Sequence, residues 1–265
     1  MILKSISSFI EKGTMTAIIG PSGSGKTTLM NFLSGRSYSN NLIKSGDLFI
    51  NNTKIEDMDP LKHIVGYVTQ EDILQEEMTV RETFESYCTL RNLKNKKEVA
   101  QQIIDKLKLN KCSETQVGGS LLRGISGGEK KRTSIGVELV SSPSLLFLDE
   151  PTTGLDSNTA FEVMKVMSDI KIKDQMTVIS VLHQPSNEIL NLFDKVIILC
   201  DGMIVFDGNP SSINQRIKDL GFQMPKFSNG VEYLLQAIDK DGIRIEIEKN
   251  KEKMIKSEAN FEPKQ

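Results

Sequence analysis

Three cysteines in 265 residues, at 88, 112 and 200, are an odd number without the paired spacing of a metal or redox site. They read as reduced thiols, in the core or at the surface, of a chain from a cytosolic compartment. No stretch approaches the roughly 18 consecutive apolar residues of a membrane-spanning helix. The N-terminus also lacks the basic segment and long apolar core of a secretory signal. The chain as given is therefore expected to be soluble. Its formal charge of −2 argues against a dedicated basic surface, so no nucleic acid is expected as a partner. There is no internal repeat of solenoid length. A hydrophobic content of 38% over this length is enough for a buried core, in one large domain or two small ones.

Three segments carry chemistry. Gly20-Pro-Ser-Gly-Ser-Gly-Lys26-Thr27 has the spacing of a phosphate loop, with a strand-like run at Thr14 to Ile19 before it and a helix-like one from Thr27 to Gly35 after it. Glycines at 20, 23 and 25 let backbone N–H groups and a helix N-terminus close around an anion. Lys26 adds a point charge and Thr27 a hydroxyl suited to magnesium. In Ile125-Ser126-Gly127-Gly128-Glu129, Ser126 is a natural N-cap and Glu129 completes a capping box, with apolar positions following at Ile135, Leu139 and Val140. Lys130, Lys131 and Arg132 read by default as a solvated face. Leu145-Leu-Phe-Leu-Asp-Glu150 is an apolar run ending in two acids before a proline. That pattern suits a central strand whose carboxyl end meets a ligand, with Asp149 organising a magnesium ion and Glu150 polarising a water. A strand end with two solvated acids fits the same residues. The order along the chain, phosphate loop, capped Gly-Gly turn, paired acids, favours the chemical reading.

With these residues the chain resembles the nucleotide-binding domain of ATP-binding cassette (ABC) transporters, and in detail the G subfamily of white-type half-transporters. Gly20 to Thr27 matches the Walker A motif, Ile125 to Glu129 the signature, and Leu145 to Glu150 the Walker B motif with its catalytic glutamate. Gly154-Leu155-Asp156 matches the D-loop, Gln70 the Q-loop and His183 the switch histidine. The subfamily resemblance rests on Val65-Gly-Tyr-Val-Thr-Gln-Glu-Asp72, Met78 to Thr83, Gly124 to Glu138 and His183-Gln-Pro-Ser186, and it runs over nearly all of residues 1–235.

The resemblance implies an ATPase that uses ATP and Mg2+. Gly20, Pro21, Ser22, Gly23, Ser24, Gly25, Lys26, Thr27 and Thr28 would bind the nucleotide. Thr27 would ligate the metal directly, and Asp149 and Gln70 directly or through water. Glu150 is the expected general base, with His183 and Gln70 completing the catalytic set. Ser126, Gly127, Gly128 and Glu129 would act in trans on the nucleotide of a second nucleotide-binding domain, in a homodimer or heterodimer, with Asp156 in the D-loop. The family also implies a transmembrane domain in the same parent polypeptide, hydrophobic cargo and a place at the cytoplasmic face of a membrane. A soluble cassette ATPase, or an ATP-gated dimerisation module with little hydrolysis, are the alternatives. One departure is that Phe9 is the only aromatic before Lys26 and lies too close to the loop to serve as the family's adenine platform. Another is Ser228-Asn-Gly-Val231, which replaces an expected Asn-Pro-Ala-Asp-like string after Leu220-Gly-Phe222.

The expected fold is α/β, a P-loop NTPase of ABC ATPase type, with a mostly parallel core sheet, a small antiparallel β subdomain and an inserted helical subdomain. The nucleotide-binding domain is expected over 1–237, with its core at 1–74 and 141–237 and the helical subdomain at 75–140. Residues 238–265 read as a charged linker. Strands are expected at Met15–Ile19, Asp47–Ile50, Val65–Thr69, Leu145–Asp149, Thr177–Leu182, Lys195–Leu199 and Met203–Phe206. Asn51-Asn52 would turn a hairpin over Asp47–Ile55. Val80, Phe84, Tyr87 and Leu90 recur at helical spacing. Met164, Met167 and Phe161 are expected as core fillers on a helix.

Overall fold

Met15–Ile19 forms strand β1, apolar apart from Thr16, and is buried at every residue, as a central strand is when helices cover both faces of its sheet. The computed structural model describes residues 2–36, 45–119, 122–219 and 230–239. After β1 come α1 (Lys26–Leu33), β2 (Leu48–Ile50), β3 (Thr53–Ile55), β4 (Val65–Val68), α2 (Val80–Leu90), α3 (Lys96–Lys106) and α4 (Gly127–Leu139). The chain continues through β5 (Leu145–Asp149), α5 (Ser157–Asp174), β6 (Thr177–Leu182), α6 (Asn187–Leu190), β7 (Lys195–Cys200), β8 (Met203–Gly208), α7 (Ile213–Asp219) and α8 (Gly230–Asp239).

Among the described residues, six strands form the main sheet in the order β4-β5-β6-β1-β7-β8. Neighbours from β4 to β7 are parallel, and β8 returns antiparallel to β7. Expected and observed strand ends differ by one or two residues, the usual ambiguity of fraying ends. The separate β2–β3 hairpin pairs Leu48 with Ile55 and Ile50 with Thr53. Asn51 and Asn52 turn it with φ of 48° and 65°, the left-handed pair that a two-residue hairpin loop requires.

Side-chain alternation splits the core across the two faces of the sheet. Ile18, Phe147, Ile179, Val181 and Ile197 pack with Leu29 and Met30 of α1 on one face. Ala17, Ile19, Leu146, Leu148, Val178 and Leu182 face the other, against Val163, Met164 and Met167 of α5. Phe84, Ile104, Leu107 and Ile135 belong to that second cluster, so the helices between β4 and β5 share one continuous core with the sheet. Gly136 permits their close approach, because a Cβ there would lie 2.6 Å from the Phe84 ring. Thr79 caps α2 with a full capping box.

On α2, Val80 and Phe84 are buried and Tyr87 packs at the core edge, but Leu90 is 73% exposed. At about 100° per residue Cys88 lies roughly 40° from Phe84 and takes the inner position, while Leu90 lies roughly 120° from it. The chain also turns away there, with Asn92 at φ 56°. Met164 and Met167 are fully buried and Phe161 partly so. Cys88, Cys112 and Cys200 are all buried, so they are core thiols. α8 extends to Asp239, over the first residues of the expected charged linker; 240–265, and residues 220–229 with the first half of the string at Ser228, lie outside the described residues. No helix among the described residues is long and apolar enough to cross a membrane.

Candidate functional site

Parallel strands end on one edge of their sheet, and the register aligns those ends. Ile19 is opposite Leu182, and Asp149 is opposite Val181. The residues that follow, Gly20 after β1, Glu150 after β5 and His183 after β6, therefore emerge side by side, and Gln70 follows closely after β4. This carboxyl edge is where open α/β sheets take their ligands.

The phosphate loop closes tightly over that edge. A Cβ at Gly20 would lie 2.2 Å from the Leu199 carbonyl oxygen. Gly25 caps α1 at φ 101°, a conformation that disfavours L side chains. Lys26 is buried, and its Nζ donates to the carbonyls of Gly20 and Pro21, each at 3.0 Å. Burial holds the Lys26 ammonium below its ordinary pKa, partly offset by Glu150 and Asp149. The Ser24 hydroxyl is buried without a hydrogen-bond partner. Thr27 is exposed and Thr28 half-buried. A glycine cradle at a helix N-terminus, with a lysine and an unsatisfied hydroxyl inside it, fits a polyphosphate.

The two acids are held differently. Burial raises the Asp149 pKa, the Tyr67 hydroxyl opposes the shift, and Glu150 adds to it. Tyr67 Oη is 3.1 Å from Asp149 Oδ2 and 3.1 Å from Asn31 Oδ1. Its ring lies under the Arg36 guanidinium, 4.0 Å from the centroid. Glu150 sits at φ 46°, in the sparsely populated left-handed region where strained active-site residues are often found. Gln70 Nε2 (3.1 Å) and Thr153 Oγ1 (3.0 Å) both donate to Glu150 Oε2. Oε1 is the oxygen outside these two bonds. Gln70 thus has its amide nitrogen on Glu150, leaving its own oxygen as the atom that can face a cation.

No three His, Cys, Asp or Glu side chains cluster to hold a metal among the described residues. A threonine, one aspartate and substrate phosphates match magnesium, which keeps waters and seldom occupies an all-protein cage. Tyr67 would then act from behind a metal ligand. Tyr67→Phe is expected to weaken Mg2+ activation of ATP hydrolysis by about tenfold or more, read from the Mg2+ concentration dependence of the rate.

The signature turn has the predicted local form. Ser126 Oγ accepts from the Glu129 N–H, and Glu129 Oε2 accepts from the Ser126 N–H at 2.8 Å. Burial pushes Glu129 upward, but the bonds from Ser126, with Cys112 and the Arg132 charge, together hold the carboxyl below its usual value. Gly128 packs against α5, where a Cβ would meet Thr159 Cγ2 at 2.3 Å. Asp156 is exposed and caps α5 by accepting from the N–H groups of Asn158 and Thr159. The turn is therefore braced on the D-loop side of its own chain, and the edge at Gly20 is built by other elements.

One expectation is overturned. Lys131 is not part of a solvated face: its side chain is 3% exposed, with Nζ 2.8 Å from Asp72 Oδ1 and 2.8 Å from the Gln70 carbonyl. The signal was present, since Lys131 shares the i, i+4, i+8 stripe of Ile135 and Leu139. Tyr67, Asn31 and Thr153 were also missed. The roles of Tyr67 and Asn31 depend on β4 lying beside β5 and on α1 covering that face, which local spacing does not record, whereas Thr153 reaches Glu150 from three residues on in the same turn. Phe9, set aside as an adenine platform, is 68% exposed with the Lys195 ammonium 4.3 Å from its ring centroid.

Fold and edge together define a P-loop nucleoside triphosphatase. The family model described as ABC transporter matches residues 3–153. The chain belongs to that family, as an ATP-binding cassette ATPase domain. It is 40% identical over 247 residues to ABC transporter G family member 22 of Dictyostelium discoideum, covering 89% of this chain and 39% of that protein. It is also 40% identical over 239 residues to ABC transporter G family member 22 of Arabidopsis thaliana, covering 88% of this chain and 31% of the relative. The chain thus spans well under half the length of these relatives. A solved dimeric, post-hydrolysis ATP-binding cassette bound to ADP and Pi superposes with a TM-score of 0.62 at 25% identity, over 78% of this chain and 90% of that one.

Proposed function

We propose that this chain is the ATP-hydrolysing motor domain of a half-transporter, closing as a dimer around ATP to drive transport of lipids or other hydrophobic compounds. The observation that carries hydrolysis is the placement of Glu150, oriented by Gln70 and Thr153, beside Asp149 and the Lys26 loop. Lys26 and the loop amides bind and orient the triphosphate. Glu150 Oε1 accepts the proton of a water in line with the γ-phosphorus, and His183, beside Gly20, contacts the γ-phosphate. Thr27 and Asp149, with Gln70, would hold Mg2+, which when bound neutralises charge developing on the phosphate oxygens. Ser126, Gly127 and Gly128 offer the N–H groups of a helix start to the nucleotide of the partner domain.

The dimeric state of the solved relative bound to ADP and Pi supports this arrangement. The G-family relatives support a transmembrane domain in the same parent polypeptide and a place for this domain at the cytoplasmic face of a membrane. Within the proposed domain at 1–237, residues 75–140 are the helical subdomain, and 238–265 are a charged linker toward the membrane part. ATP is expected to convert the purified chain from monomer toward dimer by light scattering, more fully when hydrolysis is blocked. A mass that never changes with ATP would remove the dimer mechanism.

A further inference from the structure

Lysine is almost never fully buried unless paired, and Lys131 is buried in a helix that could have carried an apolar residue there. A buried ion pair alone does not explain the choice, since apolar pairs of similar volume are often as stable. The second acceptor of Lys131 is more informative. Gln70 lies beyond the end of β4 at Val68, and its carbonyl is tied by the Lys131 ammonium at 2.8 Å. The same residue's side chain then reaches Glu150 Oε2 at 3.1 Å. A continuous path of polar contacts runs from the signature helix through Gln70 to the acid at the sheet edge.

We propose that Lys131 is a positioning residue for Glu150. Through the Gln70 carbonyl it binds the helix that serves the partner's nucleotide to the base that serves its own. Displacement of α4 on dimer closure would then move Gln70 and reset Glu150, so that the base is aligned only when the signature helix is seated. This inference rests on Glu150 being the base.

The test pairs Lys131→Met with Asp72→Asn in one chain, which removes the tie without leaving an unpaired buried charge. The double variant is expected to fold and bind ATP with KM within about threefold of the parent, while kcat falls roughly tenfold to a hundredfold. Amide exchange across residues 69–74 of the nucleotide-free chain should quicken, with residues 20–28 unchanged. Asp72→Asn alone keeps the bond to Gln70 and is expected to retain most turnover. Unchanged kcat or unchanged exchange at 69–74 in the double variant would overturn the tie. So would an equal loss in Asp72→Asn alone, which would assign the effect to the ion pair. Glu150→Gln, assayed alongside, keeps the two readings apart: normal turnover there removes the base, whereas the exchange result bears on Lys131 itself.

Discussion

Replacing Glu150 with glutamine is expected to leave ATP binding intact and to slow hydrolysis by about 10²- to 10⁴-fold, the usual contribution of a positioned general base. Glutamine has the same shape, and its carbonyl oxygen can accept the bonds from Gln70 Nε2 and Thr153 Oγ1. It asks nothing new of the backbone at φ 46°. What it lacks is a basic oxygen for the proton of water. The change corresponds to roughly 3–5 kcal/mol of transition-state stabilisation. The nucleotide-free chain should change little in melting temperature, because Glu150 both repels Asp149 and attracts the Lys26 ammonium, and its loss removes two opposing contributions. Single-turnover hydrolysis with equilibrium ATP binding on the same preparation decides the matter. Near-normal turnover in a contaminant-free variant would sink the assignment of Glu150 as base.

The second large effect is a restoration. Lys26→Met and Gly128→Asp should each abolish hydrolysis, the first by removing the buried ammonium from the loop. The second forces a side chain into the space held by Thr159 Cγ2, only 2.3 Å from an ideal Cβ. If the signature turn acts on the partner's nucleotide, a mixed dimer carries one doubly damaged site and one intact site. Random pairing of equal amounts should then recover about a quarter of the parent rate, from the symmetry of a two-fold dimer. If the turn acted within its own chain, both sites of the mixed dimer would be damaged and no activity would return. Titrating one inactive chain into the other at constant total concentration separates the two cases.

Legibility in the sequence followed the range of the interactions. The phosphate loop, the Ser126 and Thr79 capping boxes and the Asn51-Asn52 hairpin are local devices, satisfied within a few residues, so their residue types and spacing suffice to read them. The paired acids were legible as a strand end, and the roles proposed for them rest on motif order. Lys131 was misread because a charge run was weighed above the helical stripe on which it lies.

The α/β class and the family were legible in the residues alone, because backbone patterning and short motifs are encoded in contiguous segments. Only sheet order supplies the long-range neighbours of the two acids. Placing β5 between β4 and β6 brings Tyr67 to Asp149 and Gln70 to Glu150, across 82 and 80 residues of chain. Such contacts arise from sheet order and from α4 packing over the β4 edge. Both are set by burial of one shared core, which no local spacing records.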